Sequence, residues 1–439
     1  MDLVLRGGRV FGGAHAASAA SAARAAGAGR EVAADVRVVD GRIAEIGPGL
    51  RGDRELRVDD LWIVAGLVDL RAHLREPGAE HKEDLASGSR AAAAGGFTTV
   101  CALPDTSPVN DHRAVTELIV RRAAEVGLAR IRPLGAISRG LAGERFADLA
   151  DMKQGGIVAV TDATRCVHDA AFLRRALEYA DTFGLPLVQH AEDPHLIEGG
   201  AIDEGPIATR LGLRPQPALS ETAIVARDLE LVAWTGARYH VAHASAARTV
   251  ELVRDAKRRG LPVTAEVSAL HLTLTTAACA TYDPATRLSP PLRSEADRQA
   301  LIAGVADGTI DAIVSDHAPQ ALTDKEVELE AAAPGAVGLE TVVPLVLALV
   351  QAGALPLHRA LDALTRGAAA CFGLDAGALV VGGAADLTVL DPTRAWNVRA
   401  SELVGRSKNT PIIGHDVVGR AVFTMCGGRV TLDRDGRCA

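Results

Sequence analysis

The chain has 439 residues, 48% of them hydrophobic, which is enough for one large domain and a smaller one. Its net charge of −8, with 23% charged residues of both signs mixed along the chain, excludes the basic stripe that a nucleic-acid surface needs. No apolar run approaches the roughly 20 residues that span a bilayer and no signal-like start is visible, so a soluble, cytoplasmic protein is expected.

Residues 1–64 read as short strands, LVLRGGRVF and then ADVRVVDGRIAEIG. Asp40-Gly41 between apolar alternations is a hairpin signal. An Ala/Ser/Gly-rich insert near residues 12–31 can bury little and is expected to be a flexible loop. Over residues 65–373 short β-branched runs alternate with Ala/Leu/Arg-rich helical stretches. The expected strands are VAGLVDLRAHL, FTTVCAL, IRPLGA, GIVAVTD, LPLVQH, RYHVAH, LPVTAEV and TIDAIVSD. Strands that each have a helix nearby predict an α/β fold, a (β/α)8 TIM-type barrel. Residues 374–439 return to strands, GALVVGGAADLTVLD and GRAVFTMCGGRVT. The two β-rich ends are expected to build one small β-sandwich domain together.

In a parallel barrel the chemistry lies at the C-terminal strand ends. Five expected strands end in His73, Asp162, His190, His243 and Asp316. A single histidine at a strand end is ordinarily structural, but five imidazoles and carboxylates on one face point to a divalent ion such as Zn²⁺. His240 alternates with these positions and is expected to be packed. The six cysteines lie far apart with no CxxC pair, which argues against disulfides and a thiolate metal site.

Gly66 to Gly78 reads GLVDLRAHLREPG and resembles the dihydroorotase signature GLVDxHxHLREPG. Gln189-His190-Ala191-Glu192-Asp193, Pro290-Pro291-Leu292-Arg293, Ser315-Asp316-His317-Ala318-Pro319 and Gly338-Leu339-Glu340-Thr341 extend the resemblance over nearly the whole chain. It implies hydrolysis of the cyclic amide of dihydroorotate to N-carbamoyl-aspartate at a two-metal centre. In that family the HxH histidines and the DHAP aspartate hold the first ion, two later histidines hold the second, and an aspartate bridges. The positions carried over are His73, Asp162, His190, His243 and Asp316. The family's Asp-Asp-Gly at the bridge reads Asp162-Ala163-Thr164 here.

Arg71 stands where the first histidine of HxH belongs. A guanidinium has no lone pair to give and brings a fixed positive charge. The first ion is therefore expected to be weakened or lost, with Arg71 paired to Asp162 or Asp316. One Zn²⁺ on Asp162, His190 and His243 remains expected, with Asp316 as general base. On the substrate side Arg75 keeps the family's carboxylate-binding arginine. Asp105 replaces an asparagine, Ser289 the asparagine before PPLR, Gln320 the histidine of DHAPH, and Leu270 a histidine.

Two readings follow. One is a one-metal hydrolase of dihydroorotate or a similar cyclic amide. The other is an inactive dihydroorotase-like scaffold that associates with aspartate carbamoyltransferase, as the cluster of losses suggests. The retained His190, His243 and Asp316 favour the enzyme. A homo-oligomer is expected, because barrels of this kind often pair.

Overall fold

The structure, a computed structural model, describes residues 2–12 and 31–436. Nearly all of the Ala-rich insert and Cys438 lie outside the described residues. Both ends of the chain enter one mixed sheet. From the N-terminal side come β1 (Asp2–Phe11), β2 (Glu31–Val39), β3 (Arg42–Gly47), β4 (Arg54–Arg57) and β5 (Trp62–Ala65). Asp40 and Gly41 join β2 to β3 with φ of 47° and 78°. Two left-handed residues in a two-residue connection give the turn whose twist matches the strands, as Asp-Gly predicts.

The barrel begins at once after Gly66. Its strands β6 (Leu67–Ala72), β7 (Phe97–Ala102) and β8 (Arg130–Pro133) run parallel. β9 (Leu187–Gln189) follows, then a two-stranded ribbon of β10 (Ile202–Asp203) and β11 (Pro215–Gln216) outside the barrel. β12 (Tyr239–Val241), β13 (Val263–Ser268) and β14 (Ala312–Val314) complete a second parallel stretch with β9. Val160 bridges Gly135 on one side and Leu187 on the other, and Ala72 bridges His317, so the ring closes. Every residue of β6 and β7 is buried, which is why these strands read as apolar runs without alternation.

The strand expected at GIVAVTD is short, with Val158 and Val160 donating to the Pro133 and Pro186 carbonyls and Ala159 and Val160 accepting from the Gly135 and Val188 amides. Pro133 and Pro186 flank it on its two neighbours and cannot donate to a ladder.

The helix Leu85–Gly95 shows how the outer layer packs. Asp84 caps it by accepting from the Ser87 amide, and the Ser87 hydroxyl answers to the Asp84 amide. Ala91, Ala92, Ala93 and Ala94 are all buried. Small side chains let helix and strands approach closely, which explains a core with few aromatics.

The C-terminal strands β15 (Leu387–Asn397), β16 (Asp416–Cys426) and β17 (Arg429–Asp433) return to the first sheet. β15 pairs antiparallel with β5, giving the order β17-β16-β15-β5-β1-β2-β3 with β4 beside β1. Among the described residues no helix is long and apolar enough to cross a membrane.

Candidate active site

β6 carries Arg71 to the mouth of the barrel, where its side chain is only 2% exposed. Its Nε donates to Asp316 Oδ1 at 3.0 Å and its Nη2 to the Ala163 carbonyl at 3.3 Å. Its Nη1 is buried and has no hydrogen-bond partner among the described residues. The pairing with Asp316 is one of the two expected; Ala163, not the carboxylate of Asp162, takes the other contact.

His73 and Arg75 follow on the same loop. His73 Nδ1 lies 2.7 and 2.9 Å from the two Asp105 oxygens, and Arg75 Nη1 donates to Asp105 Oδ2 at 3.0 Å. Burial pushes the Asp105 carboxyl up, but His73, Arg75 and Arg71 outweigh it and hold the group well below the usual carboxylate range. The glycine of the REPG turn makes this possible. Gly78 has φ 103°, and a Cβ there would fall 2.3 Å from the Ser107 carbonyl oxygen. The two loops carrying Arg75 and Asp105 can therefore lie against each other.

The later strands supply a second cluster. His190 Nδ1 and His243 Nε2 are 2.9 Å apart, so one imidazole donates to the lone pair of the other. His190 Nε2 faces Glu192 Oε2 at 2.9 Å. Glu192 also accepts from the Ser289 hydroxyl at 2.5 Å and from the Gln216 amide. Burial would raise Glu192, yet its bonds to His190 and Ser289 and the charge of Arg293 keep it below its ordinary value. Burial first, then the charges of Arg71 and His190, hold His243 well below its ordinary value and thus neutral.

Asp162 stands apart from both clusters. Its Oδ1 accepts from the Ile137 and Ser138 amides, each at 2.9 Å, and its Oδ2 from the Ser138 hydroxyl at 2.5 Å. Burial nonetheless raises its carboxyl.

The five strand-end groups thus divide instead of converging. His190 meets His243, Asp316 meets Arg71, His73 meets Asp105, and Asp162 meets Ser138. Among the described residues no three His, Cys, Asp or Glu side chains are placed to hold a metal ion together. His73, Asp162, His190, His243 and Asp316, expected around one ion or two neighbouring ions, are each engaged by these partners. Asp162 and Asp316 each accept from a neighbouring donor, and a guanidinium stands where the family pattern puts a histidine of the first ion. That place does not fit a metal. At the second place the donor types suit zinc, two imidazoles and a carboxylate, with lone pairs now held in hydrogen bonds to one another and to Ser138.

A cavity of about 270 Å³ opens at this mouth. Its wall includes the Arg71–Asp316 pair, the His73–Asp105–Arg75 trio, Ser289 and Gln320. Gln320 accepts from Lys82 at 2.8 Å and donates to the Pro334 carbonyl at 2.8 Å. Four non-glycine residues around the site, Arg75, Ala163, His243 and Asp316, have left-handed φ of 63°, 57°, 30° and 48°. Backbone strain of this kind collects at sites where side chains must be aimed. His240 is packed as expected, fully buried with Nδ1 2.7 Å from the Thr264 hydroxyl.

Sequence reasoning missed Glu192 and Ser138. Glu192 had a signal, two residues from His190 in a quoted motif. Ser138 had none, because its place opposite Asp162 depends on the turn after β8.

A closed parallel barrel with a polar cavity at its C-terminal mouth, flanked by a sheet from both chain ends, defines an amidohydrolase-type enzyme. Residues 61–249 match the family described as Dihydro-orotase-like. The chain is 50% identical over 400 residues to a dihydroorotase of Anaeromyxobacter dehalogenans, covering 90% of this chain and 92% of that one. It is 45% identical over 433 residues to a dihydroorotase of Syntrophotalea carbinolica, covering 98% and 99%. The chain belongs to the dihydroorotase family, as a metal-dependent amidohydrolase of that type. Its fold is similar to the L-hydantoinase of Arthrobacter aurescens, with a TM-score of 0.86, 25% identity and coverage of 99% and 96%. Kinship supports a metal cofactor in general.

Proposed function

We propose that the chain opens the ring amide of L-dihydroorotate with water to give N-carbamoyl-L-aspartate, a reaction of pyrimidine biosynthesis. The observation that carries this reading is the placement of Asp316 on the cavity wall. Its Oδ1 is fixed by Arg71, and its Oδ2 has no protein hydrogen bond among the described residues. A carboxylate held in this way takes a proton from the attacking water and passes it to the departing ring nitrogen. His190, His243 and Asp162 are the side chains whose chemistry would suit a single Zn²⁺, which would supply a polarised water when bound. Ser289 and Gln320 lend polar edges to orient the ring. Glu192, through His190 and Ser289, ties the histidine pair to the cavity wall.

The test is turnover of dihydroorotate, in both directions, by the purified chain with zinc supplied. Turnover is expected, and Asp316→Asn should lower kcat by about 10² or more. No reaction in either direction sinks the hydrolase reading.

One observation favours a second reading. Arg71 stands at the first ion's place, and Asp105 ion-pairs with Arg75, so two positions of the family pattern are altered at once. On that reading the barrel is an inactive partner of aspartate carbamoyltransferase. Co-purification with that enzyme, without turnover, would support it.

A further inference from the structure

One wall of the cavity is built from two runs of backbone. Ala318 and Gln320 belong to the run that follows Asp316, and Pro334 and Gly335 to the return of the same loop. The Ala318 amide donates to the Ala336 carbonyl and the Gln320 side chain to the Pro334 carbonyl, each at 2.8 Å. The runs come closest at Gly335, φ 112°, where a Cβ would fall 2.5 Å from that of Ala318. The Ala318 and Gly335 carbonyls and the Gln320 and Val337 amides are left over, and each needs a partner. One residue serves all four. Asn409 Nδ2 donates to the Ala318 carbonyl at 3.2 Å and to the Gly335 carbonyl at 3.0 Å. Its Oδ1 accepts from the Gln320 amide at 3.0 Å, and its backbone carbonyl accepts from the Val337 amide at 2.7 Å. A carboxamide fits because it has two donors at one end and an acceptor at the other; a carboxylate would face two carbonyls with a negative charge.

Asn409 lies in the connection between β15 and β16, and that connection is itself anchored to the barrel. Glu340 accepts from the Val404 and Gly405 amides at 2.8 and 3.1 Å, and Glu83 from the Arg406 amide at 3.1 Å. The Ser407 hydroxyl donates to the Lys82 carbonyl at 2.6 Å. Lys82 in turn donates to Gln320 Oε1 at 2.8 Å, so Gln320 is held by its amide and by its side chain.

We infer that Asn409 is a positioning residue of this cavity. It fixes residues 318–320 and 334–337 against each other, and through that wall it orients the ligand, although it is not one of the lining residues. The inference rests on reading the cavity as a dihydroorotase-type site. It extends that site to the connection between two C-terminal strands, so the terminal sheet takes part in ligand binding and does more than flank the barrel.

The experiment compares the full wild-type chain with Asn409→Ala, well below the unfolding midpoint. The readouts are amide hydrogen exchange and calorimetric titration with N-carbamoyl-L-aspartate. Exchange at the Gln320 amide is expected to rise by about tenfold or more, with the barrel strands unchanged. The affinity of the folded variant for N-carbamoyl-L-aspartate should fall by about tenfold. A residue that only stabilised the fold would lower the urea midpoint and leave both readouts as they were. Asn409→Asp keeps the size and the acceptor but loses both donors. It serves if the alanine variant fails to fold, and it should lose affinity by a similar factor. Unchanged exchange at Gln320 in Asn409→Ala overturns the inference. So does an affinity equal to wild type in a folded variant, which leaves the cyclic-amide reading standing. A wild-type chain that does not bind N-carbamoyl-L-aspartate overturns that reading, and the inference with it.

Discussion

Arg71 donates its Nε–H to Asp316 Oδ1 across 3.0 Å, so the first barrel strand is locked to the turn after the last by a half-buried ion pair. In the family pattern these two positions share an ion; here they share a proton donor and a carboxylate. The ring is closed beside them by the Ala72–His317 bridge. One substitution therefore changes both the chemistry of the site and the way the barrel is sealed.

Arg71→His should restore a lone pair at the first ion's place and release Asp316. The variant is expected to bind more zinc per chain than wild type, measured by elemental analysis after dialysis against limiting metal. Equal metal content in the two proteins would show that the arginine alone does not close that place.

Asp105→Asn should uncover Arg75. The side chain keeps its shape, loses its charge, and no longer neutralises the guanidinium 3.0 Å away. Affinity for a carboxylate-bearing ligand is expected to rise by about tenfold, with little change for an uncharged ring. A fall in affinity for the acid would mean that Asp105 positions the ligand and does not exclude it.

Ser138→Ala should destabilise the fold. Asp162 is buried and takes the Ser138 hydroxyl on its Oδ2. Removing that donor leaves a buried carboxylate oxygen unpaired, at a cost of about 1–3 kcal/mol. Urea unfolding reads the change directly. Wild-type stability in the variant would mean that Asp162 finds another donor.

Asp69 should make stability depend on pH. It lies fully buried under the site, accepting from the Ser315 amide at 2.7 Å and the Ser315 hydroxyl at 2.6 Å. Burial, against those two bonds, raises its pKa from 3.8 to about 8. The folded state therefore holds a proton that the unfolded chain has released, between those two values. Its contribution is fully present below pH 3.8 and is lost as pH rises through about 8. The slope is at most about 1.4 kcal/mol per pH unit. Asp69→Asn should remove it, so urea midpoints of wild type and variant should diverge between acidic and mildly alkaline buffers. Parallel pH profiles would place the proton elsewhere.

The barrel was legible because buried parallel strands leave unbroken apolar runs between helical stretches, and because Asp40-Gly41 marks its own turn. The fourth strand is shorter than its apolar run, and the prolines that thin its ladder lie in its neighbours. At the site the identities were legible and the partners were not. Asp162 is satisfied by a serine 24 residues upstream, and Asp316 by an arginine 245 residues away. Strand-end position tells which side chains reach the mouth. Which of them bond is decided by small differences in distance that no spacing encodes. Arg71 was the exception, because a residue that cannot donate a lone pair is recognisable wherever it stands.

The antiparallel seam between Trp62–Ala65 and Leu387–Leu390 has a consequence for how the protein is made. Only Gly66 separates that seam from the first barrel strand. During synthesis the N-terminal strands emerge first, but their partner leaves the ribosome more than 300 residues later. The barrel is thus bracketed by an early half-sheet that waits, with an open edge, for the last segment of the chain. Truncation from the C-terminus removes more than a surface appendage, because it unpairs the edge from which the barrel starts.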